Sequence, residues 1–368
     1  MNSKEVIRQL LNGLIPERVG VVDAPRPETR KRWREEGLPA TVHANDHFGM
    51  DVRRQFRVDS SFGLPEKVEE ETSEYRIIRT GDGNLEKYWK GTGVPQHLEY
   101  GLKDAADWAR LRERLTPAPE RLSLGYYGDY AYEYISTPYA AVRKAWREFA
   151  EKTTTFVTIS VPDPYEGFMA KIGDERILTM LLTEPALICE MFDAHVAFTC
   201  GMIDLALNEG FQPDAVFVGG DIAYKTGTLF SPQIYRDLLK PRHTAMFQHF
   251  HDQSLDVVYH SDGNPTAVVP DLIEAGIDCL NPMEVAAGMD LNTLGEAFGD
   301  KICFMGNISV QALSKGPDEV RAEVGPKVRA AVENNWGYIF HSDHSVPPTV
   351  PLANYQLALE IVRAEGNY

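Results

Sequence analysis

Histidine and acidic residues recur at the ends of short apolar runs in this chain. The densest case is residues 255–264, LDVVYHSDGN. Five mostly apolar residues read as a buried strand, which stops at His260, Ser261, Asp262, Gly263 and Asn264. Residues two apart on an extended chain share a face, so His260 and Asp262 point the same way at the strand end, and Gly263 with Asn264 turns the chain. The same pattern places Asp23 after VGVV, Asp163 after TFVTISVP, Asp221 after DAVFVGG, Glu284 after DCLNPM and Asn307 after ICFMG. His341, Asp343 and His344 follow GYIF. One such residue is an ordinary cap or turn; many on one rim make a site. Imidazole and carboxylate are usual zinc ligands, so His260 and His344 are the leading ligand candidates, with Asp262, Glu284 and Asp221 competing for the remaining places. Metal-free acid/base work by a carboxylate and a histidine uses the same residue types.

A rim needs strands to carry it. From residue 138 onward the pattern alternates regularly. Strands are expected at 155–161, 214–219, 255–260, 278–281, 302–306 and 337–341, separated by helices such as 185–209, 231–254, 317–333 and 351–364. Thr137-Pro138 and Ser231-Pro232 are helix starts, a cap followed by proline in the first turn. Adding residues 19–23 and an early strand near 41–44 gives eight βα units, which argues for a TIM (β/α)8 barrel in one domain over residues 1–368. No glycine-rich dinucleotide loop follows the first strand, which disfavours a doubly wound sheet. Residues 43–51 read as a polar loop. Residues 52–103 read as a small antiparallel β excursion, because EYRIIRT and LEKYWKG flank a Gly-Asp-Gly-Asn turn.

Composition limits the partners. The chain has 368 residues, is 43% hydrophobic and carries a formal net charge of -17. No basic stripe stands out, so nucleic acid and anionic membranes are poor partners. No apolar run of bilayer-spanning length stands out, and the first residues form an amphipathic helix pattern rather than a signal peptide. Cys189, Cys200, Cys279 and Cys303 sit in apolar segments without CxxC spacing, as expected of thiols in a reducing cytoplasm.

The segments VYHSDGN, DCLNPMEVAAGMD, FMGNISVQAL and GYIFHSDHSVPPTVPLANY, in that order, resemble the uroporphyrinogen decarboxylase superfamily. The resemblance covers residues 155–364, and more weakly the first 60 through ERVGVVD and W-x-x-E-G-L-P. It implies a TIM barrel. It also implies one of two chemistries, and the chain departs from both. The decarboxylases grip a many-carboxylate substrate with an arginine-rich loop; here that region reads DAPRPETRKRWR, on an expected helix. Asp46 would stand where they keep a catalytic aspartate. The zinc methyltransferases, which move methyl groups to or from a corrinoid protein, carry His-x-Cys in their coenzyme-M-using members, and a later Cys. Asp262 and His344 replace those cysteines here. Both residue types are usual zinc ligands, and fewer thiolates would make a harder Lewis acid suited to an ether or hydroxyl oxygen.

The resemblance therefore implies a cytoplasmic zinc methyltransferase of the O-demethylating kind. Its metal ligands would be His260, Asp262, Glu284 and His344. Its catalytic positions would be Asp46, Asp221 and Asn307. Tyr126, Tyr127, Tyr130 and His341 would contact a small methoxylated donor. A corrinoid-carrying partner protein would dock at the barrel mouth, and a homodimer is one expected assembly. The rival readings are a metal-free lyase acting on a small carboxylic acid, and a non-catalytic ligand-binding barrel.

Overall fold

The computed structural model describes residues 1–90, 95–124, 139–150 and 154–368. The main sheet has eight short parallel strands, β1 (Gly20–Val21), β2 (Val52–Val58), β3 (Phe156–Pro162), β4 (Ala215–Gly219), β5 (Asp256–His260), β6 (Cys279–Asn281), β7 (Cys303–Met305) and β8 (Tyr338–Phe340), and a ninth, Leu122–Leu124, that pairs antiparallel with β2. Each pairs with the next from β2 to β8, and β8 pairs with β1. Asp51 joins the first two strands. Its N–H donates to the Val21 carbonyl at 2.7 Å, and its carboxylate accepts the Val21 N–H at 2.8 Å. Strand order thus follows chain order around a TIM barrel, with helices between strands, as the alternation requires.

Alternation along each strand builds two cores. Inward residues such as Val52, Phe156, Phe217, Val258, Cys279 and Met305 fill the barrel. Outward residues such as Val157, Val216, Val257, Leu280, Phe304 and Tyr338 pack beneath the helices. The helix Ser3–Leu11 belongs to the inner core: its buried face, Val6, Ile7, Leu10 and Leu11, packs against the barrel's inward residues. A capping box between Asn2 and Glu5 starts this helix. Lys4 and Arg8 pair with the buried Asp214, at 2.8 and 2.9 Å, just before β4. This helix therefore sits at the amino ends of the strands, opposite the polar rim.

The second strand differs from expectation. Residues 41–44 form no strand; Ala44–Phe48 is a short helix inside the segment read as a loop. The His43 ring accepts the Asn45 N–H at 3.2 Å at its start, and Gly49 ends it at φ 67°, where a side chain would be strained. The strand is VRRQFRV, residues 52–58, which the excursion had absorbed. A register shift between Arg54 and Phe56 breaks its alternation, so its pattern never reads cleanly. Past the shift, Phe56 and Val58 face outward with the helix-covered core, which turns Arg57 inward.

The antiparallel excursion is real but narrower, with strands Lys67–Glu71, Tyr75–Arg79, Leu85–Trp89 and Gln96–Glu99 in sequential order. Its turn docks on the helix Pro164–Ile172, where Asn84 donates to the Ala170 carbonyl at 2.8 Å and the buried Lys171 faces Asp82 at 3.5 Å. The helix expected over 231–254 contains a π turn, Tyr235–Leu239, just before Pro241, which has no N–H for a regular helical bond. The helix Pro185–Asn208 is long and apolar enough to cross a bilayer, contrary to expectation; here it packs against the helices Pro164–Ile172 and Lys240–Asp252.

Asp51 is 1% exposed and also accepts two hydrogen bonds from Arg18, both at 2.7 Å. Removing its carboxylate leaves the buried Val21 N–H without its acceptor and a half-buried guanidinium without its partner. Asp51→Ala is expected to cost about 3 kcal/mol of unfolding free energy in urea titrations, against a few tenths for an exposed control such as Glu28→Ala.

Candidate functional site

Strand register sets the inner rim of the carboxyl ends. His260 lies opposite Gly219 on one side and Asn281 on the other. The Asn281 amide donates to the Met305 carbonyl at 3.0 Å, which turns its oxygen toward His260. That oxygen accepts the His260 Nδ1–H at 2.7 Å. The imidazole is thereby held as one tautomer, with the Nε2 lone pair facing the mouth. Nε2 stands 3.7 Å from both Asp221 Oδ1 and Asp262 Oδ1.

Asp221 and Asp262 are locked to one another through the backbone, since the Asp262 N–H donates to Asp221 Oδ1 at 2.9 Å. Ligand atoms of Asp221, His260 and Asp262 all lie within 4.8 Å of one another. Asp262 Oδ1 is buried with no hydrogen-bond partner among the described residues. Burial pushes the Asp262 carboxyl up, Asp221 and Glu284 add to this, and His260 and His344 oppose it. An all-nitrogen-and-oxygen donor set, one orphaned oxygen and one oriented imidazole suit a divalent cation, and zinc at the hard end of its range.

Glu284 and His344 form an adjoining pair. His344 Nε2 is 4.0 Å from Glu284 Oε2, which accepts the Gly263 N–H at 2.9 Å. On its other side, His344 Nδ1 lies 3.6 Å from Asp343, and this contact raises the imidazole above its ordinary value. Asp343 is itself held by the Val285 and Val310 N–H groups at 3.2 and 3.0 Å. The four expected ligands thus gather on one rim, but the tight group contains Asp221, a rival for the last place, while Glu284 and His344 stand one step out.

The other expected residues separate. Asn307 is buried at φ 61°; its oxygen accepts the Leu291 N–H, and its amide donates to the Met283 and Met289 carbonyls. Its side-chain polar atoms are thus committed to the loops on either side of the Glu284 segment. Asp46 pairs with Arg53 near the start of β2, on the amino side of the barrel, and does not join the rim. His341 is buried one residue past β8, with Nδ1 against the Ser342 carbonyl. Tyr126, Tyr127 and Tyr130 lie outside the described residues.

Three features were not singled out from the sequence: a network around Asp163, and the residues Glu166 and Asn281. Asp163 is fully buried and accepts hydrogen bonds from Tyr259 Oη and His243 Nε2, both at 3.0 Å, while His243 Nδ1 meets Tyr235 Oη at 3.0 Å. Tyr259 Oη also reaches the Gly220 carbonyl at 3.1 Å, so this network supports the loop that presents Asp221. The second is Glu166, in the first turn of Pro164–Ile172. Burial, with Asp221 and Asp163 close by, pushes its carboxyl up to about 8. The signal available was Asp163-Pro164-x-Glu166, read only as a helix start. Asn281 could have been found from the alternation, since it precedes Pro282 at a strand end.

Residues 122–365 match the family model for uroporphyrinogen decarboxylase. The uroporphyrinogen decarboxylase of Chlorobium phaeovibrioides is 27% identical over 112 residues, 30% of each chain. That of Chlorobium luteolum is 25% identical over 112 residues, again 30% of each chain. The chain therefore aligns with under a third of the length of these curated relatives. Among solved structures, a methyltransferase from Methanosarcina mazei superposes over 99% of both chains with a TM-score of 0.64 at 14% identity, a likeness of fold.

Asp23, also on the rim, is 3% exposed and accepts hydrogen bonds from Ser342 Oγ at 2.6 Å and Tyr355 Oη at 3.2 Å. Burial nonetheless pushes it up to about 6. Its folded value exceeds its unfolded one, so the native state holds the extra proton and stability falls as pH rises between them. This group is expected to remove roughly 2–3 kcal/mol between about pH 4 and pH 6, and Asp23→Asn to flatten that part of the stability–pH curve. A second measurement concerns Asn281. Asn281→Ala frees the His260 ring, and zinc affinity by chelator competition is expected to fall roughly 10–100-fold.

Proposed function

The chain belongs to the uroporphyrinogen decarboxylase family, and from that premise we propose that it is a metal-dependent methyltransferase that takes a methyl group from a small methoxylated donor. The observation that carries this reading is the presentation of His260 Nε2 to Asp221 and Asp262, with Nδ1 fixed by Asn281. Zinc is the proposed ion, held by His260, Asp221 and Asp262, with Glu284 and His344 completing or supporting its shell. Such an ion supplies Lewis acidity to the donor's oxygen.

The protein's own groups then have separate tasks. Asn281 holds the imidazole in its ligating tautomer. The Asp221–Asp262 backbone bond keeps two carboxylates at fixed spacing. The Asp163–Tyr259 bond steadies the loop bearing Asp221. In the overall reaction the methyl carbon–oxygen bond breaks, the electron pair stays on oxygen, which leaves as the hydroxyl after protonation, and the methyl group passes to a reduced corrinoid on a separate protein. That partner would dock over the mouth. The cytoplasm is the proposed compartment, in line with four cysteines that are all free thiols.

The similarity to uroporphyrinogen decarboxylases favours a second reading, a metal-free lyase on a small carboxylic acid. Asp46 is ill placed to serve it, and Asp221 would be left as the acid/base group. Metal analysis of the chain purified without chelator separates the two. About one zinc per chain is expected, lost in both His260→Ala and Asp221→Asn, with methyl transfer from a methoxylated aromatic to free reduced cobalamin lost alongside. Absence of bound zinc, even after incubation with it, would sink the methyltransferase reading in favour of the lyase.

A further inference from the structure

Glu166 has an environment the metal reading does not use. Its N–H donates to Asp163 Oδ1 at 2.7 Å, which pins the first turn of its helix beside the rim. Its side chain then reaches over the end of β4. A Cβ on Gly219 would lie 2.7 Å from Glu166 Oε2, so the carboxyl occupies the room an inward side chain at 219 would take. Gly219 is the register partner of His260 and of Pro162, which puts this carboxyl in the inner ring of the mouth. The residue is partly exposed, but its Oε2 is buried with no hydrogen-bond partner among the described residues, and the Asp221 backbone N–H faces the carboxyl.

A buried carboxyl oxygen without a partner is costly, and such a cost persists where a ligand relieves it. The metal is not that ligand in this arrangement. Among the described residues the close ligand group comprises Asp221, His260 and Asp262, without Glu166. The surrounding charge narrows the choice. Asp221, Asp262 and Glu284 line the same mouth with Asp163 buried behind it, and Arg57 and His344 are facing basic groups among the described residues. One divalent ion leaves that set net negative. An anionic ligand is repelled there, and a cation that donates hydrogen bonds is drawn in.

We propose that Glu166 reads the substrate, and that the methyl donor carries a protonated amine whose N–H group bonds to Glu166 Oε2. This deepens the metal-dependent methyltransferase reading and rests on it. Gly219 is part of the same device, since any side chain there would displace the carboxyl from the mouth.

Three probes of nearly equal size test it: methoxyethylamine as a cation, methoxyethanol as a neutral molecule and methoxyacetate as an anion. Binding to the zinc-loaded chain is measured by titration calorimetry for wild type and Glu166→Gln. The wild type is expected to bind the amine at least about tenfold more tightly than the alcohol, and the acid least. Glu166→Gln is expected to erase the amine's advantage with zinc content unchanged and with a higher Tm, because the unpartnered carboxyl is gone. A structural role would instead lower Tm and weaken all three probes alike. An amine preference that survives in Glu166→Gln, tightest binding by the acid, or binding of no probe overturns the inference. A wild type that takes up no zinc fails before any probe is added; that result overturns the methyltransferase reading, and this inference with it.

Discussion

The hydrogen bond between His260 Nδ1 and the Asn281 oxygen decides what the barrel mouth can be. A neutral imidazole has one proton for two nitrogens, and whichever nitrogen is bonded inward sets what the other offers outward. Here the inward bond is fixed twice, because Asn281 is itself oriented by the Met305 carbonyl. The choice therefore passes through three adjacent strands, β5, β6 and β7. Without it, the mouth would be acidic groups around a ring free to turn. With it, a lone pair points steadily at two carboxylates. Register supplies this geometry at little entropic cost, since neighbouring strand residues are already ordered by the sheet.

The same rim shows how a fold tolerates mutual repulsion. Asp221, Asp262, Glu284 and Glu166 would push a flexible loop apart. Backbone N–H groups fix them instead: the Asp262 N–H ties Asp262 to the Asp221 carboxylate, the Gly263 N–H holds Glu284, and the Glu166 N–H anchors its turn to Asp163. Gly263 sits at φ 79°, a backbone setting in which a side chain would be strained, and that setting is what aims its N–H at Glu284. Barrels concentrate function at the carboxyl ends of strands because the loops there are short and anchored at both ends. Rigid loops let like charges stay close until a cation arrives.

Much of the architecture was legible because parallel strands buried on both faces read as near-continuous apolar runs. β3 to β8 each appear that way, and their terminal polar residues fell on one rim as the alternation implied. β2 was missed for a physical reason: a register shift interrupts its pattern, and arginines occupy positions where a purely apolar run was sought. Membership of the candidate group was legible for His260 and Asp262, two apart at a strand end. It was not for Asn281 or Glu166. The first looks like an ordinary turn residue, and the second lies on a helix whose approach to the rim depends on tertiary packing. Asn307 misled in the opposite sense, since its strand-end position is real but every polar group it owns is committed to holding loops.

The helix Ser3–Leu11 gives the barrel a floor, with Val6 and Ile7 essentially inaccessible and Asp214 bonded to it from the strand side. Among the described residues, a barrel covered below by this helix has its doorway at the rim. Any small molecule reaching His260 enters and leaves past the rim, over which a large acceptor would also sit. In the proposed reaction the two would not arrive in arbitrary sequence: the small donor would come first, and its remnant would stay enclosed until the acceptor departs. A helix outside the candidate site would thereby set the order of events in the proposed cycle.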